Sequence, residues 1–283
     1  MNHHNPPTPV ILAIGGFDPC GGAGIIADIK TFHAHLCYGV AAITALTVQN
    51  TQGVQSAQAV DAGTLRETIK ALLADGHVSV IKTGMLMNRA GVRVVSEILG
   101  ENPDLPVVID PVIRSSSGKV LLDEPGIQAL KSDLLPRATV ITPNLTEAAI
   151  LTGLRVENVE EMKAAARQLI HMGARAVVVT GGHLEKPADV LAEGSSCEVF
   201  SGDRIKPDFT HGTGCTFASS LAANLALGRT LTDSVVLAKA YVTEAIRKAY
   251  AIGPGQLPLN HLYRMQQQPR LADHASAVAE LAH

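Results

Sequence analysis

Aromatic residues make up only 3% of this chain and tryptophan is absent. Stacking platforms for nucleic-acid bases need such side chains, so that class of binding has no support. Charged residues are also sparse, at 17%, and nearly balanced, with a net charge of −3. No basic field exists to hold nucleic acid or an anionic membrane surface. The four cysteines (Cys20, Cys37, Cys197 and Cys215) form no CxxC pair. Scattered thiols in a chain of 283 residues read as reduced side chains of a cytoplasmic protein, without a zinc site. No Lys or Arg precedes Lys30, so the basic start of a secretory signal is missing. The longest stretch without Asp, Glu, Lys or Arg, Thr31 to Val60, is interrupted by His33, His35 and Gln49–Gln52. Its apolar centre falls short of the roughly 20 residues that a membrane span requires.

What is present is apolar material, at 46%, with 25 glycines. Short β-rich runs alternate with amphipathic stretches. Val10–Ile14, Val40–Leu46, Ser79–Lys82, Pro106–Ile109, Ala138–Ile141 and Ala176–Thr180 read as strands, with two more around Val190 and Val199. Ile25–Leu36, Leu65–Leu73, Ala90–Leu99, Val159–Met172, Phe217–Leu227 and Leu231–Tyr250 have helical spacing. Asn144 followed by Glu147 has the form of a capping box. Repeated β–helix–β units with near-continuous apolar strands imply an α/β fold, a mostly parallel central sheet with helices on both faces. The pattern predicts a short N-terminal extension (1–9), one domain (10–252) and a looser tail (253–283), the last carrying a possible short helix over Leu271–Leu281.

Two glycine-rich loops stand out. Gly15–Gly24 lies between the first strand and the first helix, and Gly22-x-Gly24-x-x-Ala27 fits a dinucleotide fingerprint only in outline. The loop is too long, and no acidic residue follows between Asp28 and Asp61 to hold a ribose. A flexible turn is the alternative. The second loop, His211-Gly-Thr-Gly-Cys-Thr216, opens directly into a helix. Successive N–H groups and the helix dipole suit a phosphate there. A helix N-terminus also lowers a thiol's pKa, so Cys215 is expected to ionise easily, with a packing cysteine as the alternative. Asp110, Asn144, Glu147 and Thr180 follow apolar runs, where an open α/β sheet places its ligands.

Six segments resemble, in order, the hydroxymethylpyrimidine and phosphomethylpyrimidine kinases of thiamine biosynthesis. They are Gly21–Phe32, Thr44–Val54, Lys82–Met85 with Asp110–Val112, Thr142–Ala148, and His211–Thr216. The resemblance spans roughly Val10 to Tyr250 and implies a ribokinase-like fold. It implies magnesium-dependent phosphorylation by ATP of 4-amino-5-hydroxymethyl-2-methylpyrimidine, and then of its monophosphate. By position, Gly16 and Asp28 line the pyrimidine pocket, Gln49 hydrogen-bonds the ring and Met85 packs on it. Asp110 and Glu147 serve Mg2+, and Asn144, Thr180 and Gly182 the ATP phosphates. Gly212, Thr213, Gly214 and Cys215 form the anion hole and the catalytic turn. Thr180 stands where many relatives carry Lys, and Lys119, after the flexible Ser115–Gly118, is a candidate replacement. The resemblance also implies a homodimer. A pyridoxal kinase, a sugar kinase and a non-catalytic pyrimidine-binding protein on the same scaffold remain alternatives.

Overall fold

A computed structural model describes residues 8–182, 184–206 and 210–265. The first strand, β1 (Val10–Phe17), sits near the middle of a nine-stranded sheet. Its neighbours are β2 (Tyr38–Asn50) and β4 (Val78–Thr83), both parallel to it. The strand β3 (Gly53–Ala59) pairs antiparallel with β2 and ends the sheet on that side. Beyond β4 come β5 (Val107–Ile109), β6 (Val140–Ile141) and β7 (Ala176–Gly181), all parallel. Antiparallel β8 (Ala188–Glu193) and β9 (Ser196–Ser201) complete the order β3-β2-β1-β4-β5-β6-β7-β8-β9.

Side-chain alternation divides each inner strand between two cores. Leu12 and Ile14 of β1, Val107 and Ile109 of β5, and Val177 and Val179 of β7 belong to one core. Ile11 and Ala13, Val108, and Ala176 and Val178 belong to the other. The first core is covered by α2 (Ala62–Asp75), α3 (Arg89–Glu101), α4 (Glu124–Ala129), α5 (Leu145–Thr152) and α6 (Val159–His171). The second lies under α1 (Gly24–Ala34), α7 (Thr213–Ala226) and α8 (Leu231–Arg247). Both faces of the strands are therefore apolar, which is why the runs look continuous in sequence. The expected α/β architecture is present.

The capping box also forms. The Asn144 side chain accepts from the Glu147 N–H at 2.9 Å, and Glu147 Oε2 accepts from the Asn144 N–H at 2.9 Å. Among the described residues, no helix is long and apolar enough to cross a membrane.

The expected boundary at residue 253 needs correction. Strand β11 (Leu257–Pro258) pairs with β10 (Thr210–His211), and Leu259 and Tyr263 are buried in the second core. The chain stays packed through Tyr263, because two apolar anchors suffice to dock a short segment on α8. The expected helix over Leu271–Leu281, and most of the N-terminal extension, lie outside the described residues.

Candidate active site

The parallel strands point their carboxyl ends to one edge, and the polar loops gather there. At the end of β1, a register shift between Gly15 and Gly16 turns the chain into the first glycine-rich loop. A Cβ on Gly16 would come within 2.8 Å of the Met85 sulfur, so these two expected pocket residues are in contact. Met85 packs with Ala45 and Leu121 in a small separate cluster.

Asp18, buried in the same loop, organises the entrance. Its carboxylate accepts from the N–H groups of Cys20 and Ala23, both at 2.9 Å. It also contacts His211 Nε2 at 3.0 Å. Burial works against the charged form, but His211 and the backbone donors outweigh it and hold the Asp18 pKa below the usual range. His211 in turn lies 2.9 Å from the Gln49 amide and 3.1 Å from Ser116 Oγ. The β2–β3 hairpin is thereby tied to the phosphate turn. Neither Asp18 nor His211 was assigned a role from sequence, although an acid just past the first strand of an open sheet was a signal.

Gly212 caps α7 with φ of +88° and no side-chain cap. A Cβ there would fall 1.8 Å from the carbonyl oxygen of Gly22, so only glycine lets the two loops meet. Gly214, by contrast, is exposed, and a Cβ on it would meet nothing within 4 Å. That open space lies over the first turn of α7, where N–H groups lack helical partners and an anion fits.

Beneath this turn lies a cluster of charge. Lys82, next to last in β4, has no exposed surface and contacts both oxygens of Asp28, at 2.9 and 3.0 Å. Ser219 of α7 donates to Asp28 Oδ1 at 2.6 Å. Asp110 Oδ2 is 3.9 Å from the Lys82 ammonium and has no hydrogen-bond partner. Burial would depress the Lys82 pKa, but Asp28, Cys215 and Asp110 together raise it. Burial shifts Asp28 and Asp110 upward against the pull of Lys82 on each, and the Asp28 charge adds to the rise at Asp110. The two-pronged contact, with Ser219 added, makes Asp28 the ionised partner. Asp110 is left as the under-compensated one.

Glu147 is buried beside Asp110, and burial first and Asp110 second push its pKa up. Two adjacent buried carboxylates, one with an orphaned oxygen, suit a divalent cation that takes its remaining ligands from water and phosphate. Among the described residues, no group of three or more His, Cys, Asp or Glu could hold a metal. A metal here would thus depend on substrate oxygens.

Two expectations change at this site, those for Asp28 and for the Cys215 thiol. Asp28 faces no open pocket, since the second turn of α1 seals its side chain against β4 and α7. The Cys215 thiol is raised rather than lowered in pKa. Burial is the main cause, and Asp110 and Asp28 add to it against the opposing pull of Lys82. Lys119 is exposed and its ammonium donates to the carbonyl of Gln55 on β3, in the hairpin that flanks the entrance. Thr180, at the end of β7, donates its N–H to the Pro143 carbonyl at 2.9 Å and bridges to Asn144, and exposed Gly182 follows.

A glycine turn at a helix start, adjoining carboxylates and a polar hairpin, all at one sheet edge, define a ribokinase-like α/β kinase. The sequence model of the phosphomethylpyrimidine kinase family matches residues 18–260. A hydroxymethylpyrimidine/phosphomethylpyrimidine kinase of Aquifex aeolicus is 39% identical over 248 residues, covering 87% of this chain and 97% of that one. The bifunctional thiamine biosynthesis protein ThiED of Geobacter sulfurreducens is 41% identical over 258 residues, or 90% of this chain. There the match spans only 53% of the longer protein. Among solved structures, an ADP complex of Bacillus subtilis pyridoxal kinase has a TM-score of 0.84 at 34% identity, covering 92% of this chain and all 100% of that one. The phosphomethylpyrimidine kinase of Clostridium difficile 630 has a TM-score of 0.76 at 35% identity, covering 84% and 100%. The chain belongs to the phosphomethylpyrimidine kinase family.

The raised thiol makes a direct prediction. Thiolate is the reactive form, so Cys215 should react with iodoacetamide more slowly at pH 7.5 than a free cysteine does, despite its partial exposure. Mass spectrometry of timed digests reads this. Rapid labelling of Cys215 that substrate prevents would show the thiol to be ionised instead.

Proposed function

We propose that this protein transfers the γ-phosphoryl group of ATP to the hydroxymethyl oxygen of 4-amino-5-hydroxymethyl-2-methylpyrimidine, and then phosphorylates that monophosphate to the diphosphate. One observation carries the reading. The Gly212–Cys215 turn opens α7 beside Asp110 and is tied through His211 to Gln49, so phosphate and ring sites adjoin. The first-turn N–H groups of α7 receive the charge that develops on the transferring group. An amide offers one acceptor and two donors, which lets Gln49 pair with the amino and ring-nitrogen edge of an aminopyrimidine. Its present partner, His211, must yield one of those positions. Gly16 and Met85 form the wall on which the ring rests.

In the transfer, the alcohol oxygen bonds to the γ-phosphorus while the bond to the bridging oxygen of ADP breaks. The alcohol proton leaves toward the Cys215 sulfur as the thiol gives its own proton to an oxygen of the transferring phosphoryl group, so the Asp110 carboxylate beside it stays free for the cation. Asp110 and Glu147 are the residues that would hold magnesium, which when bound neutralises phosphate oxygens. Asn144, Thr180 and Gly182 flank the path of the nucleotide phosphates. With Thr180 in place of a lysine, and Lys119 engaged with Gln55, the second phosphorylation has one positive contact fewer. We further infer a cytoplasmic enzyme that pairs as a homodimer; exposed Leu46 and Val48, side by side on one face of β2, are apolar surface that a second copy would cover.

The testing experiment is product analysis with ATP, magnesium and equal amounts of the pyrimidine alcohol and pyridoxal. The expected course is pyrimidine monophosphate first, with diphosphate accumulating more slowly. Preferential formation of pyridoxal phosphate would favour the pyridoxal kinase alternative. In the same assay, Cys215→Ala should lower turnover by about 10²–10⁴-fold, the range for losing a proton acceptor, with the KM for ATP little changed. Near-normal turnover would leave the thiol as packing only.

A further inference from the structure

Among the described residues Lys82 and Asp28 are the charged side chains with no exposed surface, yet the transfer step gives Lys82 no part. The alternation of β4 places Ile81 in the first core and Val80 in the second, so Lys82 falls on the α1–α7 side, away from solvent. Burying an ammonium there is costly, and a well-packed hydrophobic pair would join α1 to α7 equally well. The pair is also incomplete as glue. Asp28 takes two contacts from the ammonium, and no other hydrogen-bond partner of Lys82 exists among the described residues. Asp110 Oδ2 lies 3.9 Å beyond, itself without a hydrogen-bond partner. Glycine at position 84 leaves the ammonium its room, because a Cβ there would stand 3.1 Å from it.

We propose that Lys82 is a positioning residue for phosphoryl transfer: anchored by Asp28 and Ser219, it fixes the Asp110 carboxylate and the adjoining Cys215 side chain from behind the transfer locus. The proposal rests on the kinase reading above. It also gives Asp28 a different task from the one its place in the family motif implies. Asp28 acts through Lys82 and touches no substrate. The electrostatic influence of Lys82 on both Cys215 and Asp110 agrees with this geometry.

Lys82→Met alone would strand a buried carboxylate and is expected to fold poorly. The decisive protein is therefore the double variant Lys82→Met with Asp28→Asn, which removes both charges and keeps both shapes. Its thermal midpoint should stay within about 5 °C of the unmodified protein. ADP affinity by calorimetry, and KM for both substrates, should change by less than about threefold. Turnover should fall by about 50-fold or more. Ser219→Ala, which loosens the anchor but keeps the charge, should lower turnover by a smaller factor. A folded double variant with turnover within about threefold of normal would reduce the pair to structural glue and overturn the proposal. So would a large rise in the pyrimidine KM at unchanged turnover, since Asp28 would then be a substrate ligand. The unmodified protein is assayed beside it on the pyrimidine and on pyridoxal. Phosphorylation of pyridoxal alone would overturn the functional reading, and the same variant comparison, run on pyridoxal, would still decide the role of Lys82.

Discussion

The approach of Gly212 to Gly22 is the constraint from which the site follows. With a Cβ position only 1.8 Å from the Gly22 carbonyl oxygen, the two glycine-rich loops form a single piece of backbone. Nearly two hundred residues separate them, yet each is fixed by its own rigid element, the end of β1 and the start of α7. Once they touch, His211 falls against Asp18 and draws in Gln49. Ser116 then bonds to both His211 and Gln256, which joins three loops over the entrance. The substrate side and the phosphate side therefore share one hinge of backbone contact.

Below that contact the chemistry is governed by an imbalance of charge. Asp28 and Asp110 are buried beside one ammonium, with Glu147 next to Asp110, and the geometry commits that ammonium to Asp28. Asp110 and Glu147 consequently hold negative charge less easily than exposed acids do. Such a pair is poised for a cation carried in with phosphate, while burial first, and Asp110 and Asp28 after it, hold the neighbouring thiol's pKa up. The same burial that seals the site from water sets the state of Cys215.

Much of this was legible in the chain. The β1 and β5 runs and the β7 run up to Val179 are apolar at every position because both sheet faces are covered, and the Asn144–Glu147 spacing specifies its cap through purely local bonds. Strand β3 was not legible, since exposed Gln55, Ser56 and Gln58 leave no apolar alternation to read. The docking of Leu259 and Tyr263 was equally hidden, as two anchors show no period. Cys215 misled because the helix-terminus rule concerns one local field, whereas burial and two acids far off in the sequence but close in the fold decide the outcome. Lys119 follows a flexible run whose partner, the Gln55 carbonyl, no local pattern specifies.

The claim that the two loops make one site is tested most directly by comparing Gly212→Ala with Gly214→Ala, measuring affinity for ADP and for the pyrimidine alcohol in each. Position 214 has open space and ordinary helix geometry, so its variant should keep pyrimidine affinity and weaken only the nucleotide end. Position 212 has a left-handed φ and no room, so its variant should lose both affinities together. A Gly212→Ala protein that binds pyrimidine normally while losing ADP would show the loops to be independent and contradict the account.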